Sequence, residues 1–391
     1  MADFAGRLNI ELRRTPDGLR AVISSSRLVS ASRVFVGKTV KETVTRLPTL
    51  FSICATAQAS ACVAACEAAL EIAADPRIAD VRRLLVDGET VKEHFWRILL
   101  DWPPFLGEPP DAQGMTAVMR AHAALSDSLG GRQTLAPAAQ LVRTDVTAAT
   151  HAVDELSRVC ADRVLGVAPA EWLATIRNQG DLLAWCRRSP TCAARIIATV
   201  VESGWVGLGS SSVAPLPALS VGELEQLLGG GDAAQLVAAP VWQGRPAEAS
   251  PYSRNLGQPL VAALSREWGN GLLPRLGAQL VELAALQEAL RDGLADLGSL
   301  RAEAQDAPIH GVGLAQVPAA RGLLIHRAVV DRGRVTDYRI LAPTEWNFHP
   351  GGVVASGLAR LSAADDVTLG RQASIFVTAV DPCVDYDVFI C

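Results

Sequence analysis

The sequence has no basic run, no export signal, no membrane-length apolar stretch and no dense cysteine framework, and each absence removes a class of function. Its 41 Asp and Glu outnumber 36 Lys and Arg, giving a net charge of −5, so nucleic acid finds no electrostatic footprint here. The opening Met1-Ala-Asp-Phe-Ala-Gly-Arg7 lacks the charged segment and apolar core of a secretory signal, and a cytoplasmic protein is expected. The most membrane-like segment, Leu50 to Ala74, carries Gln58, Glu67 and Glu71 and lacks flanking aromatic anchors. It reads as a buried helix, and no membrane span is expected. Eight cysteines in 391 residues are too sparse for a disulfide scaffold and read as reduced thiols. Neither glycine cluster, in 203–221 or at Gly229 to Asp232, has the strand, Lys-Ser/Thr and helix context of a phosphate-binding loop.

What is present is a folded chain with 49% hydrophobic and 20% charged residues, long enough for a sizeable core. Leu8, Ile10 and Leu12 alternate and Thr15-Pro-Asp-Gly18 supplies turn chemistry, which predicts a hairpin over residues 7–24. Ser32 to Val36 reads as extended, and Lys38 to Arg46 as a helix stopped before Pro48. From Thr49 the chain reads as helical for about seven turns. Further helices are expected over 77–101, 111–129, 137–164 and 169–188, with a long amphipathic one over 272–297. Residues 322–342 read as a hairpin, Ala342 to Pro350 as a loop, and 364–380 as a helix.

Cys54, Gln58, Cys62 and Cys66 recur every four residues and share a helical face. In a run rich in alanine, such cysteines serve as small apolar residues that let helices approach closely. His94, His122 and His151 have no ligand-like spacing, and Cys186 and Cys192 flank Pro190 in no zinc pattern. Asp381-Pro-Cys383 places a cysteine just past an element end, because Pro382 pushes Asp381 out of helical geometry.

The order of seven short stretches resembles the catalytic large subunit of nickel–iron hydrogenases. Gly6-Arg-Leu-Asn-Ile-Glu11 is similar to its opening strand, and Phe35-Val-Gly37 to its Phe-Arg-Gly. Ser52-Ile-Cys-Ala-Thr-Ala-Gln58 resembles the Cys-x-x-Cys-x-x-x-His box, and Pro246-Ala-Glu-Ala-Ser-Pro-Tyr-Ser-Arg254 the Pro-x-Glu-x-Gly-Pro-x-x-Arg motif. Ala320-Arg-Gly-Leu-Leu-Ile-His326 resembles Pro-Arg-Gly-x-x-x-His, and Ala342-Pro-Thr-Glu-Trp-Asn347 resembles Pro-Thr/Ser-Thr-Trp-Asn; Asp381-Pro-Cys383 closes the series.

The departures decide what the resemblance implies. Of each metal-binding cysteine pair one member remains, Cys54 and Cys383. Phe51 and Tyr386 stand at the partner positions, Gln58 and Phe389 at the two histidines, Ala5 at the proton-relay glutamate, and Thr39 at the acid after Phe-x-Gly. Two thiolates do not make a nickel–iron site, and without the relay carboxylate heterolytic hydrogen cleavage lacks its base. No enzyme activity and no nickel are expected. The positions that donate hydrogen bonds to iron-bound cyanide in the family, Arg321 and Thr344, are kept.

This pattern resembles the HupK/HoxV-type hydrogenase assembly proteins. It implies a transient carrier of iron bearing two cyanides and one carbon monoxide, Fe(CN)2CO, with Cys54 and Cys383 as ligands and Cys391 or Asp385 as a further one. The implied donor is the HypC/HypD machinery and the implied recipient the apo large subunit. The chain ends two residues past the family's terminal histidine position, so no cleavable tail is expected. The alternative is a metal-free look-alike that binds a HypC-like chaperone through the inherited surface. A residual enzyme with Cys54 or Cys383 as nucleophile has less support, since no motif histidine stands beside either thiol. The implied fold is α+β and mainly helical, a central helix bundle with small antiparallel β pieces near both termini. It forms one unit over 1–391, divided as 1–48, 49–300 and 301–391, with its two ends meeting.

Overall fold

A computed structural model describes residues 6–16, 18–139, 144–231, 233–297 and 310–391. The position matching the relay glutamate, Ala5, and the expected boundary at 300/301 lie outside the described residues. The hairpin forms as β1 (Arg7–Thr15) and β2 (Gly18–Ser25), and two short strands later in the chain, β3 (Ala214–Pro215) and β4 (Ala247–Glu248), pair in parallel. Ser32 to Val36 is not extended; Ala31–Phe35 coils into a short 3-10 turn that buries Ser32 and Phe35. The next helix, α1 (Val40–Leu50), starts at a Thr39–Glu42 capping box and, contrary to expectation, runs through Pro48 to Leu50, although Pro48 has no N–H to give the Val44 carbonyl.

The seven-turn helix expected from Thr49 is broken. Phe51 and Cys54 leave helical geometry, with ψ of 63° and 49°, and α2 (Ala55–Ala69) begins only after Cys54. Its small residues admit a strand rather than the expected helix: β5 (Val312–Ala319) comes so close that a Cβ on Gly313 would lie 1.7 Å from the Ala65 carbonyl oxygen. Cys62 and Cys66 are fully buried there. The sheet continues through β6 (Gly322–Asp331) and β7 (Arg334–Leu341), so the expected hairpin is the inner and outer part of a three-stranded antiparallel sheet.

Between these lie the helices α3 (Pro76–Trp96, prolonged by a π turn to Asp101), α4 (Ala112–Ser128) and α5 (Val146–Val159). The single helix expected over 169–188 is two, Pro169–Thr175 and Gln179–Arg188, parted where Asn178 caps the second. Cys192–Glu202 and Pro259–Trp268 are helical as well. The long helix α6 (Leu272–Asp296) is buried nearly all round in its first half rather than along one stripe. It packs against α3, α5 and Pro259–Trp268, as the central member of the bundle must.

The loop expected over 342–350 contains a short helical turn, α7 (Pro343–Asn347), and α8 (Asp366–Val380) leads into Asp381. The chain then ends as β8 (Asp385–Ile390), which pairs with β1 in parallel register, Arg7 opposite Asp385 and Leu12 opposite Ile390. This corrects the expectation of purely antiparallel end pieces. The turn at Asp381-Pro382 delivers β8 to the end where β1 starts, so the two strands must run the same way. A core of Leu8, Ile10 and Leu12 against Val377, Val380 and Val384 fixes this joint.

Candidate functional site

Four segments far apart in the chain line one cavity of about 280 Å³: the break before α2 (Phe51, Cys54), the β5–β6 turn (Arg321), α7 (Thr344) and the stretch before β8 (Cys383). Cys54 is the first residue outside α2, and the Glu89 carboxylate of α3 takes the free Thr56 and Ala57 N–H groups at 2.9 Å each. A side chain from a neighbouring helix therefore caps the end that carries the thiol. Gln58, one turn on, donates to the Cys54 sulfur across 3.8 Å. Burial, with the Cys383 and Glu89 charges, pushes the Cys54 thiol up to about 12 against the pull of Arg321 and Gln58.

Cys383 is held by what precedes it. Asp381 adopts φ +64°, a left-handed conformation that asparagine and aspartate tolerate best among residues with a Cβ. Its carboxylate is gripped by Arg97 and, at 3.3 Å, by Arg321 Nε. Arg97 also donates to the Pro382 carbonyl at 3.1 Å. The Cys383 sulfur lies 3.0 Å from Thr344 Oγ1. A second, polar cleft of about 640 Å³, bordered by Lys92, Trp96, Arg97 and Asp385, also reaches Cys383 and Arg321.

Arg321 does not bond the backbone of residues 342–350. Its Nη1 donates to Glu93 at 2.8 Å and its Nε to Asp381, while Nη2 makes no hydrogen bond among the described residues. Burial opposes its charge, yet Asp381, Glu93 and Cys383 hold it firmly protonated. The guanidinium is thus fixed at two nitrogens by carboxylates, with a third left to meet a ligand.

Sequence reasoning missed Arg27. It lines the same cavity, is about 13% exposed, and its Nη1 sits 3.1 Å from Glu345 without an aligned hydrogen bond. Burial works against its charge, and Cys383, Glu345 and Cys54 maintain it. The signal available was its isolation: Arg27 is the one charged residue between Arg20 and Arg33. Glu93 and Asp381 were missed as anchors because their partners lie 60 to 284 residues away.

Other expected residues are placed apart from the cavity. Cys391 is exposed and ends β8, bonding Leu12 and Arg14 backbone, at the far end of the strand from Cys383. Asp385 borders the polar cleft and pairs with Arg7. Phe51, where a thiolate would complete the first pair, lines the cavity, and Tyr386 is tied to Thr378 at 2.7 Å and the Ser374 carbonyl at 3.0 Å. Asn347 clasps Ala249 N and O at 2.9 and 2.8 Å, holding α7 against the Pro246–Arg254 motif. Among the described residues no three His, Cys, Asp or Glu side chains gather as a metal cage.

The chain is 33% identical to the hydrogenase expression/formation protein HoxV of Cupriavidus necator, over 98% of this chain and 95% of that protein. The chain belongs to the HoxV/HupK family of hydrogenase expression/formation proteins. It is also 30% identical to HupV of Azotobacter chroococcum and to HupK of Azotobacter vinelandii, in each case over 99% of both chains. No protein-family model matches it. Its fold is that of the nickel–iron hydrogenase large subunit. The nickel–iron–selenium hydrogenase of D. vulgaris Hildenborough superposes with a TM-score of 0.63 at 13% identity, covering 94% of each chain. An NAD+-reducing nickel–iron hydrogenase does so at 0.53 and 16%, covering 94% of this chain and 92% of that one. This HoxV/HupK-family chain thus has relatives named for hydrogenase formation and a fold shared with enzymes. No helix among its described residues is long and apolar enough to cross a membrane.

Proposed function

We propose that the chain carries an iron fragment, Fe(CN)2CO, during assembly of a nickel–iron hydrogenase in the cytoplasm. It takes the fragment from HypC/HypD-type proteins and passes it to the apo large subunit. The observation that supports this most is the convergence of Cys54, Cys383, Arg321 and Thr344, from four separated segments, on one cavity. Two thiolates are soft donors suited to iron with strong-field ligands, and they leave a coordination position free for exchange. The unengaged Arg321 Nη2 and the Thr344 hydroxyl are donors of the kind a cyanide nitrogen accepts from. Arg27 adds a second cation facing both sulfurs. Nickel has no further thiolates here, since Phe51 and Tyr386 occupy the partner positions.

The test is an infrared spectrum of protein purified without oxygen from cells expressing the maturation machinery. Carbon monoxide and cyanide bands that vanish in Cys54→Ala and Cys383→Ala support the carrier. A blank spectrum from protein that still captures a HypC-like chaperone would replace it with a metal-free adaptor.

A further inference from the structure

Cys54 is the outer end of a buried hydrogen-bonded chain that crosses three elements. Gln58 Nε2 lies 3.8 Å from the Cys54 sulfur. Gln58 Oε1 lies 3.0 Å from His326 Nε2 on β6, and His326 Nδ1 lies 2.8 Å from the Tyr338 hydroxyl on β7. Beyond it, Tyr338 packs with Cys62 and Cys66 in one buried core. Gln58, His326 and Tyr338 are buried at 2%, 0% and 1% exposure. No water is needed to complete the row, which runs from Cys54 to Tyr338.

The row has a direction. An amide oxygen only accepts, so His326 Nε2 must carry the hydrogen it gives to Gln58. The imidazole is neutral, because burial without a carboxylate partner pushes it down to about 3. Nδ1 is then a lone pair, and the Tyr338 O–H donates to it. With its oxygen committed to His326, Gln58 turns its NH2 toward Cys54. Reversing any one bond requires all three groups to turn together, which ties the amide orientation to a tautomer set two bonds away.

We propose that Gln58, His326 and Tyr338 form a positioning chain that presents an amide N–H to the Cys54 sulfur and damps the electron donation of that thiolate to the metal it binds. The purpose rests on the carrier reading; the chain's direction does not. An N–H donor draws charge from a thiolate, so losing it makes the sulfur a stronger donor and iron returns more charge to carbon monoxide. None of the three residues needs to touch the cargo. Cys54 is otherwise faced by Cys383, Glu89, Arg321 and Arg27, and none of these reaches Gln58 by a hydrogen bond among the described residues.

Two measurements decide the matter. In metal-free protein with 15N-labelled histidine, two-bond nitrogen–proton correlations are recorded for the six histidines, His326 being assigned by its loss in His326→Gln. A neutral His326 protonated at Nε2 is expected. A ring protonated at Nδ1, or at both nitrogens, would invert the chain and overturn the inference. In cargo-loaded protein, Gln58→Met keeps the carbon monoxide band but moves it to lower wavenumber, and Tyr338→Phe moves it the same way by less. An unmoved band in both variants, with melting like that of the parent, removes the role at Cys54. If Gln58→Met does not fold, Tyr338→Phe decides alone. Parent protein without bands counts against the carrier reading, and the tautomer result stands separately.

Discussion

Two buried polar regions of this molecule use the same residue types to opposite ends. Around α6, Glu248 and Arg275 pair at 3.0 Å, with the guanidinium over the Tyr252 and Phe376 rings. Glu282 takes bonds from Arg254 at 2.7 Å, from Asn255 at 3.1 Å and from His94 at 2.7 Å. Every charge there is spent on another part of the fold. At the cavity, the guanidinium of Arg321 is anchored by two carboxylates but keeps Nη2 unengaged, Arg27 is paired without an aligned bond, and two thiols face open space. The Pro246–Arg254 motif therefore serves architecture, while the Cys54, Arg321, Thr344 and Cys383 motifs meet at a site. A motif retained from an enzyme family is not by itself a retained function.

The comparison is sharpest where one side can be broken without the other. Cys54→Ala or Cys383→Ala is expected to abolish iron-bound carbon monoxide and cyanide bands while leaving the thermal melt within about 1 °C of the parent, since a half-buried cysteine contributes little packing. Glu248→Ala should do the reverse. Stranding Arg275 in the core costs about 3–5 kcal/mol of stability by chemical denaturation, with any folded protein still able to load. Arg27→Met, which removes a cavity cation but keeps its bulk, should weaken retention of the cargo about tenfold, measured as band intensity after gel filtration.

The pH response draws on both sides, since against burial Arg321 also holds Asp381 and Glu93 at the cavity below the ordinary carboxylate range, but the α6 side gives it a single large contributor. Burial opposes the Glu282 charge, but Arg254 and His94 bring its carboxyl down to about 2. A depressed carboxylate contributes stability that is fully present above its unfolded value near 4.5 and is lost as pH falls toward 2. About 3 kcal/mol is at stake. Denaturation curves should steepen in their pH dependence over that window, and Glu282→Gln should flatten it at the expense of stability at pH 7. The smallest effect expected is from Cys391→Ser: at the far end of β8 from Cys383, it should leave both the bands and the melt unchanged. Loss of bands in that variant would bring the C-terminal thiol back into the site.

Much of the site was legible in the sequence because it is written in motifs. Cys54, Arg321, Thr344 and Cys383 each sit in a short stretch whose order along the chain carries the family likeness, and Phe51 and Tyr386 announce the missing thiolates. Arg27 and Glu93 carry no such mark, and the Asp381-Pro-Cys383 motif does not say that Asp381 anchors two arginines. Arg27 follows a hairpin among serines, Glu93 lies mid-helix, and the partners that give them meaning are up to several hundred residues distant.

Local pattern also misjudged several helices, and for two of them the reason is plain. Alanine-rich sequence from Thr49 onward favours an unbroken helix, and only the Glu89 cap from α3 starts α2 at Ala55 and turns Cys54 toward the cavity. The 272–297 stretch has helical periodicity, but its polar positions are buried because helices surround it and supply partners.

The sequence by itself determined most element types, the lost half of each cysteine pair, the small-residue face of α2 and the order of the motifs, all of which depend on near neighbours or on residue identity. Tertiary structure decided that β8 runs parallel beside β1, that Asp381 bends into left-handed geometry under the grip of Arg97 and Arg321, and that Arg27 joins the cavity. Those outcomes depend on which surfaces are buried together, and burial is a property of the whole packed chain.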